Sequence, residues 1–199
     1  MQAGNSNNSD GDRRHAKQQE MITKVVTWLK EEGREPEERT DLHGDARYFA
    51  LVRIKKAKKK DQSEETREEE AFHMLFPKNR LDCLTITVII AMDEQGRKSY
   101  ESFGRSQEGI LEKNRFYYNL KLALLQMNVI FALKKNIRQI QSVEVDNDVY
   151  FDGLTKDAFF SAIYTVLNAI EIAKTKLYQF RDLVMPSKAG RTDDSEDLK

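Results

Sequence analysis

The chain holds one cysteine, three prolines, one tryptophan and three histidines among its 199 residues. Each scarcity removes a class of protein. A lone Cys83 excludes an internal disulfide framework and any metal site built from several cysteines of one chain. In a strand pattern, that cysteine reads as a buried, inert thiol. His15, His43 and His73 are far apart in sequence, and only His73 falls on an expected element. No apolar run approaches the roughly 18 residues that a spanning helix needs, so no membrane contact is expected. The opening MQAGNSNNSDGDRRHAK lacks the apolar core of a secretory signal, which makes a cytoplasmic location the expectation. The formal sequon at Asn7-Asn8-Ser9 then carries no weight.

An excess of one charge is missing too. Lys+Arg and Asp+Glu each number 33, so no global field draws the chain to nucleic acid or to a membrane surface. Neither GxGxxG nor GxxxxGK[ST] occurs, and no serine stands in a GxSxG context. Asp146, Asp148 and Asp152 have the opening spacing of a calcium loop. Phe151 fills the position where that loop turns on Gly, however, and Asp157 stands where it closes on Glu. The alternation of the segment also spreads Asp146 and Asp148 along a solvent face. No catalytic residue, cofactor or metal is therefore assigned, and an enzyme is kept only as a reading whose motif is not visible in the sequence.

What is present suggests an α+β domain. Hydrophobic residues make up 39% and charged residues 33%, a balance shifted toward solvated segments. Residues 1–16 and 186–199 are polar and expected to be disordered tails around a single domain at 17–185. A helix is expected from Lys17 to Glu32, with Ile22, Val25, Val26 and Leu29 on one face and Gly33 as its C-cap. Trp28 lies beside that stripe and reads either as a cover for the core edge or as an exposed partner contact. Residues 34–46 look irregular. Strands follow at Arg47–Lys56, Ala71–Pro77 and Leu81–Met92; the last is apolar on both faces and suits a central position. Between the first two lies a basic block, then an acidic one, read as a charged loop at 56–70.

Ser106 is placed to cap a helix reaching about Asn128. Its expected core stripe is Ile110, Tyr117, Leu120, Leu124 and Met127, widened by Leu111, Tyr118, Leu122 and Leu125. Residues 129–134 fit either a strand, in a hairpin turning at Lys135-Asn136, or a continuation of that helix. Val143, Val145, Val149 and Phe151 alternate with polar residues as a half-buried strand does. After Asp152-Gly153, Thr155 opens a long helix with Phe159, Ile163, Val166, Ile170, Ala173, Leu177 and Phe180 on its stripe. Pro186 stops it. The order α-β-β-β-α-β-β-α gives an antiparallel sheet of about five strands with helices packed on it.

WLKEEG (28–33) and VYFDGLTKDAFF (149–160) resemble the uncharacterised, largely archaeal domain-of-unknown-function 2299 family. The resemblance covers most of residues 17–183; the charged insertion at 56–70 and both tails depart from it. It implies a type III secretion chaperone-like fold and a module that dimerises or binds extended partner segments. It brings no catalytic motif.

The remaining signal is aromatic. Phe116, Tyr117 and Tyr118 are consecutive on a helix, so their rings point roughly 100° apart and cannot all face one core. Phe159 and Phe160 pose the same problem. Two readings stand side by side: an unusually wide core face, or rings turned toward a partner. The leading functional expectation is a non-enzymatic, chaperone-like module binding a protein partner or a second copy of itself through Tyr118, Phe160, Tyr164 and Tyr178. The alternative is a nucleic-acid-associated protein using Arg53, Lys55, Lys56, Lys58, Lys59 and Lys60. The neighbouring acidic block and the lack of interleaved aromatics speak against that alternative.

Overall fold

The computed structural model describes residues 6–38, 46–54, 70–78, 80, 82–91, 94, 97, 98, 101, 106–136 and 139–184. Six strands form one open antiparallel sheet: β1 (Pro36–Glu38), β2 (Ala46–Ile54), β3 (Glu70–Pro77), β4 (Cys83–Ala91), β5 (Ile130–Asn136) and β6 (Gln139–Tyr150). Their spatial order is β1-β2-β3-β4-β6-β5. The helices described are α1 (Ser6–Glu31), α2 (Gln107–Gln126) and α3 (Lys156–Val184). The α+β class and the antiparallel sheet expected from the sequence are what the chain adopts.

Register sorts the strands into two faces. Ala50, Met74 and Ile86 are aligned across β2, β3 and β4, and Leu84 and Val88 face Val149 and Val145 of β6. All of these are buried, together with Val52, Phe72, Phe76 and Val143. The helices cover this face. Met21, Ile22, Val25 and Leu29 of α1 and Phe159, Ile163, Val166 and Ile170 of α3 complete one core. Burying a side chain of this size stabilises by roughly 1.5–3 kcal/mol, so the α3 stripe alone anchors the fold firmly. Trp28 is half-buried, its ring centroid 6.1 Å from that of Phe159. It covers the edge of the core.

Local capping follows the sequence closely. Gly33 has φ +69°, the left-handed conformation that ends α1. The Ser106 hydroxyl accepts from Gly109 N at 2.9 Å, and Thr155 Oγ1 from Ala158 N at 3.1 Å. Residues 130–136 are a strand rather than a continued helix, because Asn128 turns the chain at φ 52°. Lys135 and Asn136, expected as the turn of the hairpin, are still paired, with Ile140 and Gln139 of β6.

Four expectations need correction. α1 starts at Ser6, eleven residues before the expected Lys17. The polar stretch 34–46 contains β1, a three-residue edge strand whose polar residues need no buried face. On α2 the buried side chains include Phe116, Leu120 and Leu124, while Ile110 is exposed; the core face is rotated from the expected stripe. Asp148 does not lie in solvent: its side chain is 7% exposed and fully engaged. Of the expected loop at 56–70, Glu70 opens β3 and residues 56–69 lie outside the described residues, as do the tail at 186–199, His43 and Met92.

Candidate functional site

α2 is amphipathic in an unusual way. At 100° per residue, Phe116, Leu120 and Leu124 cluster on one side and pack against the core, Phe116 stacking on Phe180 of α3 at 4.5 Å. Leu111, Tyr118, Leu122 and Leu125 fall within an arc of roughly 60° on the opposite side. They are 64%, 65%, 44% and 65% exposed. The helix therefore has two apolar faces back to back, and only one is buried within the chain. Neighbouring charges are engaged along the helix itself: Arg115 with Glu112 at 2.9 Å, and Lys121 5.1 Å over the Tyr117 ring.

The four aromatics singled out in the sequence lie on two helices, with Phe160, Tyr164 and Tyr178 within an arc of about 40° on α3. Tyr118 belongs to this outer face of α2. Phe160 and Tyr164 sit at the junction of α3 with the end of α1, where Arg34 lies over both rings and donates to Tyr164 Oη at 3.4 Å. Lys156, bridging Glu31 and Glu32 at 3.0 and 2.9 Å, is also 6.0 Å from the Phe160 ring, and those carboxylates raise its pKa. Phe160 is half-buried, and cations lie over this second ring of the Phe159-Phe160 pair. Tyr178 lies further along α3, with Arg181 stacked at 4.9 Å.

The face of the sheet away from the helices carries a polar group that sequence reading missed. Arg80 Nη1 donates to Asp148 Oδ2 at 2.6 Å and Nη2 to Oδ1 at 3.2 Å, a two-point grip. Thr85, paired across the strands with Asp148, donates to Oδ1 at 2.6 Å. The carboxylate hydrogen bond raises the Arg80 pKa. Burial pushes the nearby Cys83 thiol up, partly opposed by Arg80. This makes Cys83 a neutral, inert thiol. The signal was present only as strand register: Arg80 is in the β3–β4 connection, and nothing in its local spacing names Asp148. Among the described residues, no group of three His, Cys, Asp or Glu side chains is arranged to hold a metal.

Beside Asp148 opens a groove of about 530 Å³, lined by Asn128, Asn147, Tyr150, Ala158, Ala162 and Thr165 among others. β5 begins at Ile130, opposite Asp146, so β6 runs past it. Phe151 N donates to Asp82 O at 2.8 Å, which aims the odd-numbered backbone groups of β6 at β4. By alternation, the N–H and C=O of Asp148 and Tyr150 face the groove.

Of the proposed basic residues, Arg53 is 3.8 Å from Glu37. Lys55, Lys56, Lys58, Lys59 and Lys60 lie outside the described residues.

The family described as "Uncharacterized conserved protein (DUF2299)" matches residues 21–177. The chain belongs to this family. Both quoted motifs, 28–33 and 149–160, fall within the matched span. A crystal structure of an uncharacterized protein from Methanothermobacter thermautotrophicus is similar, with a TM-score of 0.63 and 23% identity. The match covers 82% of this chain and 98% of that one. At that identity the likeness is one of fold. No curated protein matches. Among the described residues, no helix is long and apolar enough to cross a membrane.

Proposed function

We infer that this member of the DUF2299 family is a non-enzymatic protein-binding module whose docking face is the outer side of α2. The observation that carries the reading is the exposed stripe Leu111, Tyr118, Leu122 and Leu125, set opposite the buried side of the same helix. A helix that needs only to pack on its own domain has one apolar face. A second one, with its flanking charges already engaged, supports contact with another macromolecule. Tyr118 supplies the large, amphipathic ring that often dominates such contacts. The chaperone-like reading rests on the family resemblance alone.

A photoreactive phenylalanine analogue at position 118, introduced into the full chain in its native cells, tests this. The expected result is a covalent adduct with a protein, and none when the analogue replaces Tyr178. An absence of adducts at position 118 would sink the reading. The groove beside β6 supports a second mode of protein binding. Its backbone donors and acceptors at Asp148 and Tyr150 suit an added extended segment, with room beside Ala158 and Ala162. Ser161→Trp, which narrows the groove from the α3 side, would then abolish capture of such a segment without affecting adducts at position 118.

A further inference from the structure

Resting on the reading of the groove as a second mode of protein binding, we propose that it receives the free amino terminus of another protein, laid in as a short strand parallel to β6. The lane for that strand is set by register. β5 pairs with β6 from Ile130, opposite Asp146, so among the described residues 147–150 of β6 have no strand on that side. Four residues of strand span about 13 Å. The outward N–H and C=O groups of Asp148 and Tyr150 repeat at about 7 Å, the interval at which an extended chain offers its own. A volume of about 530 Å³ lies within the range of ligand clefts and suits a peptide of a few residues.

The lane is closed at one end. Past the level of Asp148 it is filled by β5 itself, which follows Met127 and Asn128, both lining the groove. A segment hydrogen-bonded to Asp148 and Tyr150 therefore runs head-on into the α2–β5 connection. A chain end fits there, whereas a continuing chain would have to turn out of the sheet. The other end is open. Apart from its chain neighbours, no atom lies within 4 Å of where a side chain at Gly153 would begin, and Gly153 lines the groove. The remainder of the bound chain leaves on that side.

Charge decides which chain end enters. α2 finishes at Gln126, so the negative end of its dipole lies at the closed end of the groove. α3 starts at Lys156, so its positive end lies by Gly153 and Ala158 at the open end. An α-amine at Asn128, with its chain running toward Gly153, agrees with both fields. The reverse direction would press a carboxylate against the carbonyls that finish α2. The lining concurs: it includes no Lys, Arg or His, and Asn128 and Asn147 offer amide oxygens as acceptors. Its one charged residue is Asp148. Alternate side chains of the bound strand fall toward the small residues Ala158 and Ala162 of α3, and the others face away from the helices.

A pool of pentapeptides, random at the first four positions and carrying fluorescein on a C-terminal lysine, tests this against the full-length protein. The native chain should retain members of the pool that Ser161→Trp does not. In fluorescence anisotropy, acetylating the amino terminus of each retained peptide should weaken binding at least tenfold, the loss of one charge-assisted hydrogen bond, while amidating its carboxylate should change little. Thr165→Lys, which brings a cation to the groove without touching its backbone edge, should weaken the free-amine form at least tenfold and the acetylated form much less. Equal binding of free and acetylated peptides would overturn the amino-terminus proposal and leave the groove as a site for internal segments. No retention by the native chain above Ser161→Trp at ~1 mM peptide would overturn the proposal and the groove reading together. Adducts at position 118 report on the outer face of α2 and stand apart from both results.

Discussion

Leu120→Ala and Leu125→Ala remove the same atoms from the same helix, five residues apart, on opposite faces. Leu120 is fully buried in the core beside Phe116 and Leu124, whereas Leu125 is 65% exposed. The buried truncation loses the transfer energy of its methyl and methylene groups and leaves a cavity, together about 2–5 kcal/mol. α2 leans chiefly on α3 rather than on the sheet, which lets the site collapse in part and points to about 3 kcal/mol. For a chain of this size, that lowers Tm by roughly 6–12 °C. The exposed truncation leaves no cavity and exchanges one helix former for a slightly better one, so its cost to the monomer stays within about 0.5 kcal/mol. Urea unfolding followed by circular dichroism at ~1 µM chain measures both, with equal m-values expected. Equal losses at low concentration would refute the two-faced description of α2.

Further outcomes follow from other parts of the molecule. Arg80→Ala, which leaves the nearly buried Asp148 carboxylate with Thr85 alone, should cost about 2–3 kcal/mol; Asp148→Asn, which keeps an acceptor and removes the charge, should cost less. Thermal melts of the two variants and the pair would show the ordering, and the reverse ordering would contradict the assignment of Asp148 as the desolvated partner. Cys83 has its folded pKa raised by burial, so its contribution is fully present below the unfolded thiol value and is lost as pH climbs from there through the raised folded value. Stability should therefore decline above about pH 8.5, more steeply in the native chain than in Cys83→Ala, and thiol reagents should label Cys83 only on unfolding. Thr155→Ala should cost about 1 kcal/mol through loss of the Ala158 N–H bond, with Thr155→Ser restoring most of it in the same melts.

Local chemistry was the legible part of the sequence. Ser106, Thr155 and Gly33 act as caps where their types and positions suggest, and the alternation of β4 and β6 names the core residues of both strands. The phase of α2 was harder. Its apolar residues run nearly all the way round, so periodicity allowed several core faces, and packing against Phe180 selected Phe116 over Ile110. That ambiguity was itself the trace of the second face. For Tyr118, Phe160, Tyr164 and Tyr178, residue type alone said nothing of what neighbouring elements lie against each ring. Arg34 and Lys156, cations distant in sequence from each other, cover Phe160. The Arg80–Asp148 grip was hidden for a similar reason: an alternating aspartate looks solvated until register brings it beside Thr85 and the β3–β4 connection.

The placement of α2 also bears on how the molecule opens. Among the described residues its main support is α3, while α3 rests on the sheet through β6 and β4. α2 is thus the natural candidate for partial detachment, with its amides exchanging hydrogen through an excursion that leaves the sheet closed. A protein docked on its outer side would suppress that excursion without touching the core. Protection of the α2 amides would then rise on docking while that of β4 stayed constant, making one helix a built-in gauge of occupancy.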